Sequence, residues 1–221
     1  MTDSPPHLDL PFAAEHVTGA IAPVDALQDR LAPAELAAIA NAVTKRQREF
    51  RAGRTLARRL LRRLGESDPV LPSSAERHVL WPDGLTGSIS HSKDWAAAAV
   101  ARRSQVGAVG LDIEREHGVA DHLRSRVLLK DEAQGCARHA DDDATVYFSC
   151  KEAVYKAVHP HCGEFLDFPD VQIELGAKRF RARCLKPGVS ARLIELGAGQ
   201  WGVQNGIIVA LFTISPASLS A

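Results

Sequence analysis

The amino-acid sequence predicts an α+β fold of two halves, each combining helices with an antiparallel sheet. The first observation is the order of the patterns along the chain, which runs helix, strands, helix, strands. The second is a short connection at residues 103–105 between two strand-like runs, which suits a hairpin. The third is the length of the longest apolar runs, 95–101 and 206–214, which are about half as long as a segment that spans a bilayer and so do not indicate membrane helices. We therefore expect one half at residues 1–105 and another at residues 106–221.

In the first half, apolar spacing predicts two helices separated from the strands by a loop rich in Pro, Ser and Gly at residues 70–87. The expected elements are a short strand around Ile21, a helix from Pro33, a helix at 44–64 and strands at 87–90 and 95–102.

In the second half, the sequence predicts one strand, two helices and then a run of strands after Pro160. The expected elements are a strand at 106–114, helices at 119–139 and 142–158, and strands at 171–175, 180–184, 191–196 and 207–214. Acidic residues in the first turn of the helix at 142–158 suit its dipole.

The composition is that of a soluble globular protein, and it excludes some partners. The 221 residues carry 27 basic and 27 acidic side chains, so no net field favours nucleic acid or an anionic membrane. The cysteines at positions 136, 150, 162 and 184 have irregular spacings, which indicates reduced thiols. With no signal-peptide pattern, we expect a cytoplasmic protein.

The first motif with chemical content is Gly-Leu-Asp-Ile-Glu at residues 110–114, at the end of an apolar run. Residues i and i+2 of a strand share a face, so Asp112 and Glu114 project side by side while Leu111 and Ile113 enter the core. Paired carboxylates on one strand suit Mg²⁺, which prefers hard oxygen ligands. The alternative is an ordinary strand whose outer face is polar.

The second motif is Phe-Ser-Cys-Lys-Glu-Ala-Val-Tyr-Lys at residues 148–156. In a helix, Glu152 and Lys156 are i and i+4 and share a face, and Lys151 lies about a hundred degrees away. Such a carboxylate could bind a metal or accept a proton, and the ammonium groups could hold phosphates. The alternative is a surface ion pair.

Two further patterns supply candidate phosphate ligands. Gly-Ser-Ile-Ser-His-Ser at residues 87–92 places hydroxyl groups and an imidazole at a strand end, although such residues are also common in turns. The helix at 44–64 is rich in arginine, whose planar guanidinium suits phosphate. By contrast, His159-Pro160-His161-Cys162 lacks the second ligand pair of a structural zinc site.

The order of these motifs resembles the surfactin-type 4′-phosphopantetheinyl transferases. Lys-Arg-Gln-Arg-Glu-Phe at 45–50 with Arg54, and Trp-Pro-Asp-Gly at 81–84, are similar to the subgroup related to the enterobactin synthase component. The matching segments extend over about residues 45–156. The resemblance implies a monomer of two pseudo-symmetric halves with coenzyme A in the cleft between them.

The resemblance also implies residue roles. Asp112, Glu114 and Glu152 would hold Mg²⁺, or Mn²⁺ in its place, against the pyrophosphate. Glu152 and Lys156 would be catalytic, as the base for a serine of a carrier protein and as the group that stabilises developing charge. Coenzyme A would contact a larger set, namely Arg46, Arg54, Arg77, Ser90, His91, Asp112, Lys151 and Lys156. Two rivals stay open: an Mg²⁺-dependent phosphohydrolase, and a module that binds carriers or nucleotides without turnover.

Overall fold

The computed structural model describes residues 8–138 and 144–219. The strands are β1 (Leu8–Asp9), β2 (Thr18–Pro23), β3 (Leu85–Ser92), β4 (Trp95–Arg102), β5 (Ala108–Arg115), β6 (Val171–Leu175), β7 (Arg179–Cys184), β8 (Gly197–Gln204) and β9 (Ile207–Ile214). The helices are α1 (Pro33–Leu36), α2 (Thr44–Arg63), α3 (Asp121–Val127), α4 (Lys130–Arg138), α5 (Ala144–Cys162), α6 (Val189–Glu195) and α7 (Pro216–Leu219).

These elements form two antiparallel sheets, which confirms the predicted α+β class. One sheet has the strand order β1-β2-β4-β3 and the other β5-β9-β8-β7-β6. The chain passes from the first sheet to the second between Arg102 and Ala108. The division into halves at residue 105 as independent domains stays a prediction.

Each sheet buries one face under a long helix. Leu56, Leu60 and Leu61 of α2 belong to one core cluster with the small residues of β4, and the buried face of α5 packs with β5 and β9 in another. A third cluster lies between the sheets, where Ala97 and Ala99 of β4 meet Leu111 of β5. The two sheets are therefore held face against face by a continuous apolar layer.

The edge strands β3 and β5 meet along a seam that is bridged by serine side chains. Ser88 Oγ donates to Leu111 O at 3.5 Å, Ser90 Oγ to Asp112 Oδ1 at 2.9 Å, and Ser92 Oγ to Glu114 Oε2 at 2.8 Å. The bridges advance in the same direction along both strands, so β3 and β5 run parallel. The candidate carboxylates thus lie on the line where the two sheets join.

Helix α5 approaches β5 unusually closely, and glycine makes this possible. A Cβ added at Gly110 would lie 1.9 Å from Ala153 O and 2.6 Å from Ala157 N. Because both contacts are with helix backbone, any side chain at this position would force α5 away from the strand. Gly110 therefore sets the spacing between Asp112 on β5 and Glu152 on α5.

Two predicted strand features are wrong. Residues 191–196 form most of α6 rather than a strand, because Leu193 and Ile194 are both buried and Glu164 caps the helix by accepting from Val189 N and Ser190 N, each at 3.1 Å. The predicted hairpin at 103–105 is absent as well, since β4 pairs with β2 and β3 while β5 pairs with β9.

The two helices predicted at 119–139 and 142–158 also differ in detail. The first is interrupted after Val127, and Glu132 Oε2 accepts from Leu129 N at 2.7 Å where α4 begins. The second is described from Ala144 to Cys162, and the acidic residues 141–143 lie outside the described residues. Within the described part, no helix is long and apolar enough to cross a membrane.

Candidate functional site

A central cavity of about 350 Å³ opens at the seam between the sheets, bordered by α2, β3, β5 and α5. It brings together side chains that lie more than a hundred residues apart in the chain. Nine predicted site residues border it: Arg46, Arg54, Arg77, Ser90, His91, Asp112, Glu114, Glu152 and Lys156.

Asp112 lies at the buried end of this set. Its carboxylate accepts from Lys156 Nζ at 2.6 Å, and from Ser90 Oγ and Ser149 Oγ at 2.9 Å each. The residue is only 3% exposed, so it is not on a wet strand face as the alternation of β5 alone would allow. A buried carboxylate with three donors, one of which is a cation, is held in one orientation.

Glu114 and Glu152 are less well compensated. Burial is the main cause that raises the pKa of each carboxyl group, and the charge of Asp112 adds to the effect in both. Ser92 donates to Glu114, whereas Glu152 has no hydrogen bond or ion pair with a described residue. Glu152 is thus a half-buried carboxylate without a partner, which suits it to accept a proton or bind a cation.

His91, Arg46 and Glu49 form the rim of the cavity on the first half. Arg46 Nη1 contacts His91 Nε2, and Glu49 Oε2 lies 3.6 Å from His91 Nδ1. Burial, followed by the charge of Arg46, lowers the pKa of His91. A neutral imidazole that carries its proton on Nδ1 fits both neighbours. Arg46 and Glu49 together hold the imidazole at the rim of the cavity.

Arg54 is buried but remains a cation. Its Nε donates to Leu71 O at 2.8 Å and its Nη2 to Ser73 Oγ at 2.9 Å, while the guanidinium lies 4.3 Å from the centre of the Phe50 ring. Burial lowers the pKa of Arg54 to about 10, which leaves it charged at neutral pH. These contacts fix the plane of the guanidinium at the cavity wall.

Arg77 has an unusual backbone, with a φ of 67° in the turn that follows Ser74. It borders the central cavity and two neighbours, one of about 410 Å³ along β3 and β5 and one of about 600 Å³ beside α1 and α2. Arg77 therefore borders all three cavities.

Lys151 is the predicted site residue that the structure does not bring to the cavity. Its ammonium is buried and donates to Glu132 Oε2 and Val127 O at 2.8 Å each, and to Phe168 O at 3.0 Å. Burial is the main cause that lowers its pKa, and Glu132 opposes the shift. With three acceptors around its ammonium, the side chain points away from the other candidate ligands.

The carboxylates at the cavity have the chemistry of a metal site without its spacing. Within the stretches 8–138 and 144–219, no group of three His, Cys, Asp or Glu side chains is close enough to hold a metal ion. Asp112 Oδ1 is already engaged by Lys156. The donor set itself suits Mg²⁺, because Asp112, Glu114 and Glu152 border one cavity and the pKa of the two glutamates is raised.

Some serines within the sequence motifs have roles in the structure that the motifs did not predict. Ser149 in Phe-Ser-Cys-Lys-Glu holds Asp112, and Ser92 at the end of the serine-rich strand holds Glu114. Glu49 follows Arg46 by three residues, a helical spacing that places the two side chains on one face.

Comparison with known proteins gives the family of the chain. Residues 34–101 match the 4′-phosphopantetheinyl transferase N-terminal domain, and residues 108–204 match the 4′-phosphopantetheinyl transferase superfamily. The chain is 35% identical over 195 residues to 4′-phosphopantetheinyl transferase Svp of Streptomyces mobaraensis, which covers 84% of this chain and 79% of that protein.

Two further relatives are also similar in sequence over most of the chain. The identity to 4′-phosphopantetheinyl transferase PptT of Mycobacterium tuberculosis is 30% over 191 residues, with 80% of this chain and 83% of that protein covered. Enterobactin synthase component D of Salmonella typhimurium is 34% identical over 159 residues, with 68% and 65% covered. The chain belongs to the 4′-phosphopantetheinyl transferase superfamily and is related to its enterobactin synthase group.

Proposed function

We propose that this protein transfers 4′-phosphopantetheine from coenzyme A to a serine of an apo acyl or peptidyl carrier protein and releases adenosine 3′,5′-bisphosphate. The observation that carries the proposal is the central cavity, where Glu152, which has no hydrogen bond or ion pair with a described residue, faces a buried carboxylate–lysine pair and three arginines. That set can activate a hydroxyl group and hold a polyphosphate together.

The chemical step follows from these groups. The serine oxygen attacks the phosphorus attached to the pantetheine oxygen, and Glu152 accepts the hydroxyl proton. The bond from this phosphorus to the bridging oxygen breaks, and its electron pair leaves with the bisphosphate. Lys156, on the same helix face as Glu152, stabilises the charge that grows on that leaving group.

The remaining cations bind and orient coenzyme A. Arg46 and His91 at the rim, Arg54 at the wall and Arg77 in its turn are placed to contact the phosphates, with Ser90 beside them. Their guanidinium groups suit phosphate geometry, and Arg54 is held rigid before any ligand arrives. Such fixed donors lower the cost of ordering the substrate.

We further propose that Asp112, Glu114 and Glu152 hold Mg²⁺, or Mn²⁺ in its place, together with phosphate oxygens of the substrate. The ion would neutralise pyrophosphate charge. The raised pKa of Glu114 and of Glu152 supports this, because burial and the charge of Asp112 disfavour their ionised forms, which a bound cation would favour. We also propose a cytoplasmic monomer that requires neither nucleic acid nor membrane, in keeping with its zero net charge. Fatty-acid, polyketide and nonribosomal-peptide carriers, including those of siderophore synthesis, all remain candidate acceptors.

The test is the intact mass of purified apo-carriers after incubation with coenzyme A and Mg²⁺, with a chelator as the metal control. We expect the mass to increase by one phosphopantetheine, and Glu152→Gln to abolish the increase. Free bisphosphate without labelled carrier would instead support a phosphohydrolase. Binding of the carrier without either product would support a module that has no turnover.

A further inference from the structure

Glu152 stands at the border of two cavities. One is the central cavity, and the other is a groove of about 250 Å³ that we call the side groove, bordered by Arg126, Tyr155, Phe165 and Phe168 in addition to Glu152. The residues that line the side groove all come from positions 126–171, whereas the central cavity is lined by both halves of the chain. The same carboxylate is therefore accessible from two directions.

The two directions differ in what they can receive. The arginines and His91 border the central cavity, so a ligand rich in phosphate is best held there. In phosphoryl transfer the attacking oxygen approaches opposite the leaving oxygen, and therefore from a side that the leaving bisphosphate does not occupy. The cavity of about 410 Å³ along β3 and β5 borders Lys156 and Tyr155 but not Glu152. Of these three spaces, the side groove is the one that leads a second substrate to the base.

The surface of the side groove suits a protein partner. Phe165 is 72% exposed, and its ring packs edge-on against Tyr155 with 6.4 Å between ring centres. Arg126 is exposed on α3 and borders the same groove. An exposed aromatic side chain and an arginine that border one groove are typical of the residues that dominate protein interfaces.

We propose that the side groove receives the serine-bearing segment of an apo acyl or peptidyl carrier domain, with Phe165 as its apolar anchor and Arg126 as its charged contact. This inference rests on the proposed function and adds the place and direction from which the acceptor arrives. The partner it fits presents an apolar side chain close to the acceptor serine and an acidic group facing Arg126.

The buried pair Lys151–Glu132 holds the walls of this groove together. Lys151 Nζ binds the last residue of α3 through Val127 O and the segment before β6 through Phe168 O. Glu132 Oε1 accepts from Ile173 N at 2.7 Å, which adds β6 to the same network. Lys151 is therefore a positioning residue for the acceptor groove, and the residue next to it in the chain is the proposed base.

The experiment measures transfer with coenzyme A and carrier varied separately, using an isolated acyl carrier protein and an isolated peptidyl carrier domain, both in the apo form. We expect Phe165→Ala and Arg126→Glu each to raise the KM for the carrier about tenfold and to leave the KM for coenzyme A unchanged. The effect of Arg126→Glu is expected to shrink at high salt, while that of Phe165→Ala persists.

Matched controls are Val189→Ala, an apolar side chain 57% exposed on α6, and Arg62→Glu, an exposed arginine at the end of α2. Neither residue borders the side groove, and we expect both variants to match the wild type. Carrier KM values within twofold of wild type for both groove variants, or equal losses in the controls, would overturn the proposal.

The double variant Lys151→Met/Glu132→Gln tests the bracing pair without leaving a buried charge unpaired. A positioning role predicts a raised carrier KM with an unchanged KM for coenzyme A, and a purely structural role predicts a lower melting temperature with both KM values unchanged.

Direct binding of a carrier whose acceptor serine is replaced by alanine separates this inference from the proposed function. One outcome would keep the groove and refute the transferase proposal: the wild type binds the alanine carrier, Phe165→Ala weakens that binding, and the carrier that retains its serine gains no phosphopantetheine. If the wild type neither binds nor modifies either carrier, both fail.

Discussion

Replacing Lys156 by methionine tests the charge balance at the buried end of the site. The ammonium lies 2.6 Å from Asp112 Oδ1 and 3.1 Å from Ser90 Oγ. Methionine keeps most of the side-chain length and removes the charge together with the N–H donors. Asp112, 3% exposed, would then remain buried with two serine donors and no cation.

The magnitude follows from this geometry. At 2.6 Å the attraction is about 6 kcal/mol for an effective dielectric constant of about 20. The Lys156 side chain is 28% exposed, so water screens the pair, and removing the ammonium from water opposes the gain. We expect a net loss of about 2 kcal/mol in the free energy of unfolding. For a chain of this length that corresponds to a melting temperature lower by about 4–8 °C.

The assay compares thermal unfolding in a chelator and in Mg²⁺. If Asp112 is a metal ligand, the ion replaces the lost positive charge, and Mg²⁺ stabilises Lys156→Met more than it stabilises the wild type. Lys178→Met, at an exposed position on the turn before β7, is the matched control with no expected change. An unchanged melting temperature for Lys156→Met in the chelator would refute the charge argument. Equal Mg²⁺ shifts for both proteins would refute the metal assignment.

Three further outcomes are expected. Asp112→Asn keeps the size of a buried residue and removes its charge. We expect circular dichroism to show a folded protein and the intact-mass assay to show no transfer, and normal transfer would exclude Asp112 from the site. Arg54→Lys loses the planar guanidinium, which we expect to raise the KM for coenzyme A about tenfold and to affect 3′-dephospho-coenzyme A less. Equal losses with both substrates would place Arg54 away from the 3′-phosphate. The pKa of Glu152 is raised in the folded protein, so the folded state binds its proton more tightly and wild-type stability falls as pH rises from the ordinary carboxyl range to that raised value. In urea unfolding with a chelator present, we therefore expect Glu152→Gln to be more stable than wild type at neutral pH. The difference in the free energy of unfolding should vanish below about pH 4, and equal stability of the two proteins at both pH values would contradict this.

Local spacing predicted which side chains share a face, and the family resemblance joined the two pairs into one candidate site. The two-residue period of a strand places Asp112 and Glu114 on one face, and the helical period does the same for Glu152 and Lys156. Both pairs border one cavity in the structure. Spacing alone could not predict that Lys156 binds Asp112, because that contact joins α5 to β5 across 44 residues.

Lys151 shows why the rest of the site could not be predicted. Its position next to Glu152 leaves two directions open, and the direction is decided by acceptors at Val127, Glu132 and Phe168, on segments that fold around α5 from either side. No periodicity within the motif encodes those partners. The resemblance to the family implied a coenzyme A contact for Lys151, whereas its ammonium binds Val127, Glu132 and Phe168 instead.

The missed strand β8 has a different cause. Its sequence, Gly-Ala-Gly-Gln-Trp-Gly-Val-Gln, has few apolar side chains for a buried strand. The glycines leave room for rings from neighbouring strands, since a Cβ at Gly197 would lie 2.1 Å from the Phe212 ring and one at Gly199 would lie 2.5 Å from Phe180. The apolar side chains expected in a strand are thus replaced here by phenylalanine rings of the neighbouring strands.

The serine bridges between β3 and β5 have a consequence for how such a site can diversify. A main-chain ladder holds adjacent strands about 4.8 Å apart whatever their side chains are. Here, beside the apolar layer between the sheets, the polar part of the join depends on the reach of three hydroxyl groups. Lys156 on α5 adds a fourth polar contact across the seam by donating to Ser90 Oγ at 3.1 Å. A change at Ser88, Ser90 or Ser92 would therefore alter contacts across the seam while leaving the main-chain pairing within each sheet in place.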